Sequence, residues 1–101
     1  TDQVGNSPYE NGLAWSMLGY LHYQKGDLKQ SAQAYEKALQ FDIPLSLAQD
    51  NRQILGQVYL SDGNCPRAVA VFEQWLAHAQ SGTEDVRVWT AQCHYQLGQY
   101  K

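Results

Sequence analysis

Cys93 and His94 stand side by side, a thiol next to an imidazole, the two groups from which a base-activated nucleophile is made. Both lie in a segment with helical patterning, where neighbouring side chains point about 100° apart, so the pair cannot share a hydrogen bond. The carboxylates are scattered, and Glu84-Asp85 reads as the acidic start of a helix rather than an acid/base pair. No glycine-rich loop follows a strand to cradle phosphate. Cys65 and Cys93 are 28 residues apart, which is no zinc-ligand spacing. His78, late in its helix, suits the negative end of the helix dipole. These residues therefore predict no catalytic centre, no metal site and no cofactor.

The remaining chemistry is that of surfaces. The chain has 101 residues, 44% of them hydrophobic, with 7 Lys+Arg against 10 Asp+Glu and a formal net charge of −3. That describes one small domain. No basic run occurs, which argues against nucleic acid and against an anionic membrane surface. The longest apolar run, Ala68 to Phe72, is far short of a membrane span, so membrane insertion is not expected. Thr1 in place of Met, and an end at Lys101 just after a glycine turn, read as a piece of a longer chain. Two cysteines are too few for a disulfide scaffold.

What positions those surfaces is a repeat. Leu18-Gly19 recurs as Leu55-Gly56, Gly26 as Gly63 and Gly98, and Tyr35 as Phe72, at offsets of 37, 37, 35 and 37 residues. Each unit reads as two helices. Ser7-Pro8-Tyr9-Glu10 forms a capping box that predicts a helix from about Pro8 to Lys25, ended by Gly26. Leu28 to Phe41 carries Ala32, Tyr35, Ala38 and Leu39 on one face, and Ile43-Pro44 stops it. Ser46-Leu47-Ala48-Gln49 reads as a second box, opening a helix to about Ser61. Asn64 caps a fourth helix, Cys65 to Ala79, and Thr83 a fifth, ending near Leu97. No segment shows the two-residue alternation of a strand. The expected class is all-α, with residues 1–6 frayed and a single domain over 7–101, divided at about 8–44, 45–82 and 83–101.

Trp15-Ser16-Met17-Leu18-Gly19, Tyr23, Gly26-Asp27, Tyr35 and Ala38-Leu39, followed by Leu55-Gly56, Tyr59, Gly63, Ala68, Phe72 and Leu76 and then by Ala91, Tyr95 and Gly98, resemble the tetratricopeptide repeat over about Asn11 to Lys101. The resemblance implies a right-handed α-solenoid of antiparallel helix hairpins, about two and a half repeats and five helices. Gly19, Gly56 and Ala91 are then small where the two helices of a hairpin cross, and Tyr35 and Phe72 fill the space between successive hairpins. His22 and His94 take the place of a buried tyrosine and read as satisfied core residues. Ser31, Arg52, Arg87, Trp75 and the late Pro44 depart from the family pattern. More loosely, Pro44-Leu45-Ser46-Leu47, Phe72 to Leu76 and His94 to Tyr100 resemble exported repeat proteins associated with bacterial TonB-type energy transduction. That likeness implies a periplasmic location, with the cytoplasm as the alternative.

In such a superhelix the first helix of each hairpin lines the concave face. By register the inward stripe holds Leu13, Ser16, Tyr20, Tyr23 and Gln24, then Asp50, Gln53, Gln57, Leu60 and Ser61, then Asp85, Val88, Gln92, Tyr95 and Gln96. Tyrosine offers area with few rotors, and glutamine pairs with an extended backbone, so the expected function is a scaffold or adaptor that takes a peptide or partner protein in this groove. A spacer within a longer array, or a merely solvated face, is the alternative. Relatives that clamp a C-terminal carboxylate use lysine, asparagine and arginine where this chain has Ser16, Tyr20, Ile54, Asp85 and Trp89, so that tail is not expected to bind. Cys65 and Cys93 fall toward one edge of the stack, open to a disulfide or to two buried thiols. A fifth helix without a hairpin partner predicts an uncovered side carrying Val86, Trp89, Ala91 and Cys93, and with it self-association.

Overall fold

A computed structural model describes residues 8–96. Five helices follow one another: α1 (Pro8–Gln24), α2 (Leu28–Leu39), α3 (Leu45–Ser61), α4 (Cys65–His78) and α5 (Thr83–Gln96). No strand occurs among the described residues. Each helix packs on the next, α1 on α2, α2 on α3, α3 on α4 and α4 on α5, which makes an elongated body of 54 × 30 × 17 Å. This is an all-α solenoid of helix hairpins.

The turn inside each hairpin is built twice from the same parts. Gly26 and Gly63 adopt φ of +81° and +76°, a left-handed conformation that costs a side-chain-bearing residue about 1 kcal/mol. The Asp27 N–H then donates to the His22 carbonyl at 2.9 Å, and the Asn64 N–H to the Tyr59 carbonyl at 2.8 Å. Both bonds close the same turn, 37 residues apart. The second hairpin adds a cap, because the Asn64 side chain accepts from the Arg67 N–H at 3.4 Å.

Several helix ends differ from the sequence expectation. Helix α3 begins one residue before Ser46, with Pro44 at the cap position and no side-chain cap bond. The proposed box fails because Gln49 turns away, its Nε2 donating to the Trp75 carbonyl at 2.9 Å. Thr83 lies inside α5, its Oγ1 accepting from Arg87 Nε at 3.4 Å. Helix α2 stops at Leu39, short of Phe41, and α4 stops at His78. The box at Ser7, the frayed segment 1–6 and the end near Leu97 lie outside the described residues.

The core runs along the stack: Tyr35, Leu55, Val58, Phe72, Val86 and Cys93 are essentially inaccessible. Gly19 and Gly56 are indeed close-approach positions, but what approaches is a ring. A Cβ on Gly19 would sit 2.7 Å from the Tyr35 ring, and one on Gly56 would overlap Phe72. Tyr35 and Phe72 thus fill their own hairpins first. Phe72 also reaches forward, its ring centroid 5.5 Å from that of Trp89. Ala91, the third small residue of the series, is exposed, with no second helix against it among the described residues. Ser31, where the family prefers alanine, is buried and donates to the Gly19 carbonyl at 2.7 Å.

Helix α5 corrects the expectation of an uncovered Val86 and Cys93. Val86 and Cys93 are fully buried against the preceding hairpin, Trp89 packs partly buried against the same core, and of the four residues expected to be uncovered only Ala91 is exposed. Five residues before and two residues after the small residue Ala91, Val86 and Cys93 occupy the positions that Asn51 and Val58 take around Gly56, and those two are likewise buried. The exposed side of α5 carries Val88, Ala91 and Tyr95 instead. At the other end of the stack the same two positions are Ala14 and Leu21, both exposed.

Candidate functional site

The inward stripe is carried by α1, α3 and α5, and its residues do not all share one environment. Tyr20, Ser16 and Asp50 come together at the seam between α1 and α3, around a cavity of about 360 Å³. Tyr20 and Asp50 are exposed there. Asp50 forms no ion pair among the described residues. Ser16 is different: it is buried, donates to the Gly12 carbonyl at 2.8 Å, and accepts from Asn51 Nδ2 at 2.8 Å. It is a structural link between the hairpins, its one O–H engaged within α1 and its oxygen accepting from α3.

The rest of the cavity wall is Met17, Leu21, Tyr35, Leu47, Asn51 and Ile54. Met17, Leu21, Leu47 and Ile54 lie outside the predicted stripe. Their signal in the sequence was present, since Met17 and Ile54 are both two residues before the leucine-glycine glycine. Seeing that they meet needs the stacking of α3 on α1. The walls are apolar except for the Asp50 carboxylate at the rim and the Ser16–Asn51 pair beneath.

Val88, Gln92, Tyr95 and Gln96 gather on α5 around an open depression of about 640 Å³, shared with Ala91. Gln53 joins Asp50 in a third, smaller depression with Trp75 and His78. Leu13, Tyr23, Gln57 and Leu60 are partly buried, Tyr23 and Leu60 against the core, and they line none of these hollows. Gln24, Ser61 and Asp85 are exposed, and Asp85 lines a polar hollow at the start of α5.

His22 departs from its reading as a satisfied core residue. His22 is half-buried, and its Nδ1 is enclosed without a hydrogen-bond partner, the Asp27 carboxylate lying 3.8 Å away. His94 is half-buried. Cys65 and Cys93 are joined as a disulfide, with their Cα atoms 5.3 Å apart, tying the start of α4 to the end of α5.

Two tyrosine hydroxyls are held in the neutral form. Burial pushes the Tyr35 phenol up to about 12, with Tyr20 and Tyr23 adding to the shift. Burial also pushes Tyr59 up to about 12, helped by its hydrogen bond to the Glu36 carboxylate. Between pH 10 and 12 the unfolded chain gives up these protons and the folded chain keeps them, so stability falls as pH rises through that window. Phenolate absorbance in an alkaline titration should show Tyr35 and Tyr59 ionising only as the helices melt. The double Tyr35→Phe/Tyr59→Phe chain should lose part of that alkaline sensitivity; full retention would contradict the assignment.

No helix among the described residues is long and apolar enough to cross a membrane. No curated protein and no solved structure gives a significant match to the chain. Two family models do match, both for the tetratricopeptide repeat, one over residues 12–43 and one over residues 55–101. They cover most of the chain and meet the two halves of the solenoid, with its repeated turns, ring-on-glycine contacts and register-matched burial. The chain belongs to the tetratricopeptide repeat proteins.

Proposed function

We propose that the protein is an interaction scaffold whose partner docks on the inner face formed by α1, α3 and α5, centred on the α1–α3 cavity. Repeats of this family generally mediate protein–protein contacts and are typically non-enzymatic. The observation that carries the reading is the cavity itself, an open apolar hollow with exposed Tyr20 at its edge. An accessible aromatic beside an apolar pocket is the kind of surface on which binding energy concentrates. A spacer role requires no such hollow.

The narrower reading, an exported adaptor of the TonB-associated kind, belongs to the same proposal. The Cys65–Cys93 bridge supports an oxidising compartment such as the periplasm. Capture from the native cell with the full chain as bait, against a Tyr20→Ala/Tyr95→Ala variant, tests the scaffold role. A partner retained by the first and lost by the second is expected. The same partners on both baits would move the interface elsewhere, and none on either would favour the spacer.

A further inference from the structure

Three of the cations gather on one side of the stack. Lys29, Lys37 and Arg67 all line one hollow on the α2–α4 side, together with Glu36 and Asp62. Asp62 is already engaged, 3.3 Å from Lys29, and Glu36 accepts from Tyr59. Neither the predicted inner stripe nor the α1–α3 cavity contains a lysine, arginine or histidine. The charges there are carboxylates, Asp50 on α3 and Asp85 on α5, both exposed and in no ion pair among the described residues. Arg52, the nearest cation in sequence, donates to Gln49 at 2.9 Å.

We infer that the α1–α3 cavity takes a large apolar side chain from an extended, basic segment of the partner, whose neighbouring lysine or arginine meets the Asp50 carboxylate. The inference deepens the scaffold reading and rests on it. Two features select this occupant. The walls from Met17, Leu21, Leu47 and Ile54 offer dispersion and desolvation to an apolar group and nothing to a polar one. The unpaired carboxylate at the rim favours a cation and repels an acidic chain. A volume of about 360 Å³ admits a leucine or aromatic side chain, not a folded domain.

Selection of a random-sequence displayed peptide library on the immobilised, oxidised full-length chain tests this. Peptides pairing Lys or Arg with a neighbouring large apolar residue should be enriched. Measured by fluorescence anisotropy, the enriched peptide should lose at least about tenfold in affinity on Tyr20→Ala. Asp50→Asn should weaken it about threefold to fivefold, with a flatter salt dependence. Selection on an Asp50→Lys chain should shift the preference to acidic peptides, an outcome that a folding defect does not produce. Acidic or uncharged peptides that are sensitive to Tyr20→Ala but indifferent to Asp50 would overturn the inference and leave the scaffold reading standing. Enriched peptides indifferent to every inner-face change, or no enrichment at all, would overturn both.

Discussion

Replacing Phe72 with alanine is expected to cost about 3–5 kcal/mol, a large share of the stability of a domain of this size, which stands at about 5–15 kcal/mol. The ring is inaccessible, rests on the bare backbone of Gly56, and touches Trp89 of the next helix. Its loss therefore opens a void inside the second hairpin and loosens α5 at once. The converse change, Gly56→Ala, pushes a methyl into that ring and should cost about 1–3 kcal/mol. The two substitutions are coupled. Phe72→Leu in the Gly56→Ala background should cost clearly less than Phe72→Leu alone, because the smaller side chain relieves the overlap. Urea unfolding of the four chains checks this. Strict additivity would show that Gly56 is not held small by the ring.

Removing the disulfide is the second large effect. The bridge closes a loop of 28 residues, and in the chain-entropy picture a loop of that length stabilises by about 3–4 kcal/mol. Cys65→Ala/Cys93→Ala, or reduction by a dithiol, should lower the unfolding midpoint accordingly. The loss should begin at α5, the last described helix of the stack, whose main packing neighbour is α4. Amide exchange should quicken first over residues 83–96. Thiol counting on unfolded, unreduced protein should find none; two free thiols would contradict the bridge, and unchanged exchange in α5 after reduction would contradict its role as a clasp.

How the molecule is legible from its residues follows the range of the interactions. The turns were readable because Gly26 and Gly63 act within a few residues, and the hairpins because Leu18-Gly19 and Leu55-Gly56 repeat in step with Tyr35 and Phe72. The start of α3 departs from the local pattern because Ser46 and Gln49 match a capping box in sequence, whereas Gln49 is drawn to a carbonyl on α4. The burial of Val86 and Cys93 is not legible locally, because an amphipathic pattern does not say which neighbour covers it; the preceding hairpin does. The inner stripe placed Tyr20 and Asp50 beside the cavity. It included Ser16, whose hydroxyl is spent on Gly12 and Asn51, and omitted Met17, Leu21, Leu47 and Ile54. Those four meet only across the seam, a contact set by how one hairpin stacks on another.

The central claim is that a partner sits on the inner face at the α1–α3 seam. The most direct measurement is amide hydrogen exchange on the full chain, alone and saturated with the captured partner or selected peptide. Slowed exchange in residues 16–21 and 47–54, with α2 and α4 unchanged, is the predicted footprint. Protection confined to α2 and α4, with the seam exchanging as freely as in the isolated chain, would contradict the account.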